Sequence, residues 1–211
     1  MNENEKYLFD LQGYIAVPDA LDSAQLEKLN AVLDQHIEQE CPDEEHAHHF
    51  EGLLSWGKTY RDLVDNPSIV SYIDVILSER FRLDHLYADL IRGGTSPIGA
   101  TLGDKSIMDL RSLPITWPTL GWKTVGLAAC RVRYKSNYRF PGEWRDMAEN
   151  IEPCVRRVTG PAGMAVIFTE ALTHGALPWT GQGEPRTVFL SMARIQYRGL
   201  RNTLMRRNSK A

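Results

Sequence analysis

Residues 86–173 contain no histidine, so a metal centre built on two imidazoles must draw them from the first 85 residues and from His174. Cysteine is equally scarce. Cys41, Cys130 and Cys154 are odd in number and lack Cys-x-x-Cys spacing, so neither a disulfide framework nor a zinc knuckle is indicated and reduced thiols are the expectation. No apolar run approaches the ~20 residues that span a bilayer, and the opening Met-Asn-Glu-Asn-Glu-Lys has no basic region followed by an apolar one. A cytoplasmic protein without a membrane partner is the expectation. A net charge of -3 and a pI near 6.1 give no global nucleic-acid signature. With 43% hydrophobic residues, 211 residues suffice for one domain with a sizeable core and are too few for two comfortable ones. Oligomeric state is not legible.

What is present begins with helical punctuation. Tyr7 to Val17 reads as a short strand containing Gly13 and ending at Pro18. Asp22 reads as a helix cap with Gln25 in capping-box spacing, and Leu26, Leu29, Leu33 and Ile37 mark one buried face through about Gln39. Cys41 to Glu51 holds His46, His48 and His49 beside carboxylates; its spacing fits no closed zinc site, and it reads as a solvated acidic loop. Leu53 to Val64 has a helical pattern, and Asn66-Pro67 starts a helix running to Leu77, so that residues 1–79 form a mainly helical part.

Arg80 to Arg92 alternates as a strand, placing Phe81, Leu83, His85, Tyr87 and Asp89 on one face. At ~3.3 Å per residue His85 and Asp89 stand ~13 Å apart, too far to share a metal ion without a bulge. The glycine-rich stretch Gly93 to Asp104 lacks the lysine of a P-loop. Lys123 to Tyr134 and Cys154 to Val158 read as strands, and Gly160-Pro161-Ala162-Gly163 as a turn. Residues 194–211 collect six cations without an acid, a basic tail expected to be solvated.

The most informative stretch is Gly163-Met-Ala-Val-Ile-Phe-Thr-Glu-Ala-Leu-Thr-His174-Gly, continued by Pro178-Trp179 and Arg186-Thr-Val-Phe-Leu-Ser-Met. Two apolar runs, one reaching from Met164 to Phe168 and one from Val188 to Met192, flank a Pro- and Gly-rich connection. If that connection is a turn, the two strands pair antiparallel and bring His174 and Arg186 to neighbouring places in one sheet. A histidine ligand and a planar guanidinium able to grip a carboxylate suit a metal centre with an anion clamp.

This order of residues resembles the C-terminal half of the phytanoyl-CoA dioxygenase family. Phe9-Asp-Leu-Gln-Gly13-Tyr-Ile-Ala-Val-Pro18 is similar to that family's opening segment, and Phe81-Arg-Leu-Asp-His85-Leu-Tyr87 to one of its branches. The resemblance implies a mainly β fold with flanking helices, a double-stranded β-helix (jelly-roll) core packed against N-terminal helices. It implies iron(II) and 2-oxoglutarate as cofactors and a small organic molecule as substrate. His174 then corresponds to the second iron-binding histidine and Arg186 to the 2-oxoglutarate clamp. The first histidine of the family's His-x-Asp/Glu pair belongs where Thr101-Leu102-Gly103 stands, leaving Asp104 as the nearest carboxylate and Asp89 as the next. The pattern occurs only upstream, as His36-x-Glu38 and His49-x-Glu51. Two activities remain open: hydroxylation of a small organic substrate, or a catalytically lapsed barrel that binds a small molecule only.

Overall fold

The computed structural model describes residues 1–42, 47–77, 80–91, 112–118, 127–130, 155–169, 172–176, 184 and 186–195. Helix α1 (Glu3–Gln12) occupies most of the segment expected to be a strand. Its start is a capping box in which Asn2 Oδ1 accepts from the Glu5 N–H at 2.9 Å and Glu5 Oε2 accepts from the Asn2 N–H at 2.6 Å. Its end is Gly13, whose φ of 80° is the left-handed stop that glycine supplies without steric cost. The glycine read as part of a strand is the residue that separates a helix from one, and β1 (Tyr14–Val17) follows at once. Helix α2 (Ser23–Glu40) carries the expected reciprocal bonds between Asp22 and Gln25.

The histidine-rich stretch is not simply a loop. Its second half is strand β2 (Ala47–Phe50), paired with β3 (Phe81–Ile91). The expected helix after Leu53 is broken into a 3₁₀ turn (Leu53–Trp56) and a single-turn α3 (Lys58–Arg61), with Gly57 at φ 113° between them. Helix α4 (Pro67–Leu77) begins where Asn66-Pro67 places it. Asn66 is buried at 3% exposure, accepts from the Ser68 N–H at 2.9 Å and donates to the Ala20 carbonyl at 3.1 Å. Asn66→Ala removes a helix cap and strands a buried carbonyl, so a stability loss of roughly 1–3 kcal/mol is expected, measured as a lower urea midpoint with an unchanged slope.

The remaining strands are β4 (Ser112–Pro118), β5 (Leu127–Cys130), β6 (Val155–Val158), β7 (Ala165–Phe168), β8 (Thr173–Ala176) and β9 (Arg186–Arg194). They form two antiparallel sheets, one of six strands in the order β1-β7-β4-β9-β3-β2 and one of three in the order β6-β5-β8. Strand β4, with Pro114 and Pro118, was not expected, yet it sits between β7 and β9.

The large sheet has two different faces. Ile15, Val17, Ala165, Ile167, Ala88, Leu90, Val188, Leu190 and Met192 pack in one core with Leu29 and Leu33 of α2 and Ile69, Ile73 and Leu77 of α4. Val166 and Phe168 alternate with these along β7 and pack with Val158 of β6, Met164, Leu172 and Tyr14. One face therefore carries the helices and the other faces the small sheet. Each fully buried aliphatic or aromatic side chain contributes on the order of 2 kcal/mol, which is why β7, buried at all four positions, anchors both cores.

A register shift between Leu83 and His85 corrects the expected alternation of β3. Phe81 and Leu83 pack with the helices, as do Leu86, Ala88 and Leu90, whereas His85, Tyr87 and Asp89 lie on the opposite face. The pairing of His174 with Arg186 is also corrected. β8 pairs with β5 in the small sheet, with Ala129 opposite His174, while β9 pairs with β3 and β4 in the large one.

Candidate functional site

The inner face of the large sheet, away from the helices, changes character from one edge to the other. Near β7 it is apolar; near β2 and β3 it is polar and aromatic. His49 of β2 lies opposite Asp89 of β3, and its Nδ1 is 2.7 Å from Asp89 Oδ1. The Asp89 side chain is 18% exposed and that of His49 51%, so a covered carboxylate holds a half-exposed ring. Burial pushes the Asp89 carboxyl above the usual carboxylate range, and the bond to His49 and its charge pull it back.

Tyr87 stands at the centre of this face. Phe189 stacks on it with centroids 4.8 Å apart, His85 lies nearly parallel at 5.6 Å, and His49 meets it at 4.7 Å. His85 repeats the arrangement of His49 more openly, with Nδ1 3.1 Å from Asp84 Oδ2. Glu51 Oε1 lies 3.7 Å from the other nitrogen of His49.

Arg186 points the other way. It lies opposite Leu90 in the ladder, on the helix-bearing face, and its Nη1 is 2.6 Å from Asp34 Oδ1 of α2. Glu184 Oε2 lies 3.9 Å from Nη2. Tyr60 shares this environment: burial pushes its phenol well up, Arg186 pulls it down and Asp34 raises it. Its hydroxyl donates to the Leu29 carbonyl at 3.1 Å.

The other residues singled out from sequence are dispersed. His36 stacks on Trp56 at 3.7 Å and pairs with Glu40 at 2.6 Å, and His48 contacts Phe50. His46 and Asp104 lie outside the described residues, as does the basic tail beyond Ile195. His174 has a place in the small sheet, opposite Ala129 of β5, and that sheet lies against the inner face of the large one through Val158. Among the described residues no three His, Cys, Asp or Glu side chains are placed to hold a metal ion. Residues 86–173 supply no histidine, and among the described residues the two imidazoles and one carboxylate of a facial iron site are not assembled.

Sequence reasoning missed His49 as part of a constellation. Strand β2 is four residues long and follows an acidic run, so the alternation that would have put His49 and Phe50 on opposite faces was too brief to register. Asp34 was hidden by the chain distance between α2 and β9.

No protein-family model matches the chain, and no curated protein matches it in sequence. Its fold does match solved structures. HygX from Streptomyces hygroscopicus, with nickel and 2-oxoglutarate bound, superposes with a TM-score of 0.76 at 12% identity over 93% of this chain and 88% of HygX. SnoN, a non-heme α-ketoglutarate-dependent epimerase from nogalamycin biosynthesis, gives 0.67 at 14% identity over 91% of this chain and 82% of SnoN. SnoK, the carbocyclase of the same biosynthesis, gives 0.68 at 15% identity over 98% and 90%. At these identities the likeness establishes a shared fold. Among the described residues no helix is long and apolar enough to cross a membrane.

Proposed function

We propose that the chain is a phytanoyl-CoA dioxygenase-like relative of the iron(II)/2-oxoglutarate oxygenases, one double-stranded β-helix domain that handles a small organic molecule between its sheets. The observation that carries this reading is the fold shared with HygX, SnoN and SnoK over more than nine-tenths of this chain. HygX is described with nickel or iron, with 2-oxoglutarate and with hygromycin B bound, and SnoN with iron, α-ketoglutarate and a nogalamycin, which supports small-molecule chemistry in a barrel of this kind.

Two activities are compatible with that descent. In the oxygenase reading His174 and Asp104 would hold iron(II) and Arg186 would grip 2-oxoglutarate, which together with dioxygen as the oxidant would supply hydroxylation chemistry, the oxoacid leaving as succinate and carbon dioxide. The second reading is a lapsed barrel that binds without turnover, and the donor chemistry supports it better. One imidazole and one carboxylate leave the site a ligand short, and Arg186 is committed to Asp34 on the helix-bearing face. Each missing ligand costs affinity because the fold holds ligands ready in advance.

Anaerobic calorimetry decides between them. Titration of the metal-free chain with Fe(II), with and without 2-oxoglutarate, is expected to show no saturable binding in the micromolar range. Micromolar binding that strengthens with 2-oxoglutarate and vanishes in His174→Ala, together with succinate formation in air, would establish the oxygenase reading instead.

A further inference from the structure

We propose that His49, held by Asp89, forms with Tyr87, His85 and Glu51 a docking site for a small organic molecule rich in hydrogen-bond donors. This inference deepens the small-molecule reading above and rests on it. Its carrying observation is the coincidence on one sheet face of a covered carboxylate, a half-exposed imidazole bonded to it at 2.7 Å, and an aromatic row bracing that imidazole. The same face near β7 is filled by Val166, Phe168 and Val158, which leaves the polar end as the part of the described face that apolar packing does not close.

The chemistry of the ligand follows from what the face offers. A carboxylate at Nδ1 selects the tautomer whose N–H lies at Nδ1, which leaves the lone pair of Nε2 pointing away from Asp89. His85 is set in the same way by Asp84. Glu51 adds a further acceptor close to His49 Nε2. Arg82 is the counter-charge and is drawn to Asp84, 3.6 Å away. Tyr87 already has Phe189 and His85 lying almost parallel to it, so recognition falls to the polar groups rather than to stacking of a flat ligand. A surface made of acceptors binds donors. Hydroxyl and ammonium groups are the two common sources. An anionic ligand would meet Glu51, Asp84 and Asp89 at short range.

The test uses the full chain with labelled histidine, tyrosine, phenylalanine and valine and three probes of similar size: glucosamine, glucose and glucuronate. Saturable shifts of the His49 and Tyr87 ring signals by glucosamine or glucose, absent with glucuronate, are expected. His49→Gln and Asp89→Asn should each weaken the response about fivefold or more while leaving the thermal transition of the chain in place. Tighter binding of glucosamine than glucose assigns the donor as ammonium; equal binding assigns it as hydroxyl. Asp89→Asn should also move the His49 ring nitrogens toward the other tautomer, which loss of packing alone would not do. Binding of glucuronate as tight as that of glucosamine overturns the proposal, as does probe binding unchanged in both variants. Probe shifts confined to Val166 and Phe168 would overturn it while leaving the small-molecule reading intact, and no shifts with any probe would count against both.

Discussion

Gly163→Ala is expected to lower stability by roughly 3 kcal/mol, a drop of about 6–12 °C in melting temperature for a chain of this size. Gly163 adopts φ 87°, a conformation that costs an L-residue on the order of 1–2 kcal/mol. A Cβ there would also run into the backbone carbonyl oxygen of Leu21 and come within 3.3 Å of Leu26 Cδ1. Neither neighbour yields easily. The Leu21 N–H donates to the Gly163 carbonyl at 2.9 Å, so the contact that would be forced apart is the stitch between the start of α2 and the turn before β7. Because β7 feeds both cores, the loss should appear as a cooperative decrease in both melting temperature and urea midpoint. A variant that melts within 2 °C of the parent would mean that the turn relaxes without disturbing β7.

The helical part of the fold was legible wherever capping chemistry was written locally. Asp22 with Gln25 and Asn66 with Pro67 each placed a helix start to the residue, because an N-cap needs only side chains three positions apart. At α1 the Asn2–Glu5 capping box is equally local, but Gly13 ends the helix and β1 begins at the next residue, so helix and strand merge into one apolar segment in the sequence. The apolar runs that became β7 and β9 were visible as buried strands. Their partners were not, since sheet order is set by contacts between distant segments. β4 lies between them and carries two prolines, which argue against a central strand when only propensity is consulted. The candidate site shows the same division. The buried strand that leads toward His174 was readable. The facing of Arg186 was not, because it depends on Asp34, 152 positions earlier (186 − 34), and on which side of the sheet the helices pack.

Asp34→Ala should cost roughly 1–3 kcal/mol, and Arg186→Met should cost more than the pair removed together. Breaking a buried ion pair from one side leaves the partner's charge without compensation, a loss of ~3–5 kcal/mol when both groups are covered. Here Arg186 is 10% exposed and Asp34 59%, so water reaches the pair from the aspartate side and the expected cost falls below that range. The double variant Asp34→Ala with Arg186→Met removes both charges at once beside Tyr60, and should recover at least half of the larger single loss. Urea denaturation of the four chains measures the coupling directly. The cycle also bears on function. A guanidinium whose work is to fasten α2 to β9 makes Asp34 and Arg186 strongly coupled in stability and leaves the melting temperature indifferent to 2-oxoglutarate. An oxoacid clamp behaves in the opposite way: 2-oxoglutarate would raise the melting temperature of the parent, more so in Asp34→Ala where the guanidinium is released, and not at all in Arg186→Met. Strong coupling without ligand stabilisation is the expected result, and it would leave Arg186 as the residue that fixes the helical layer to the sheet.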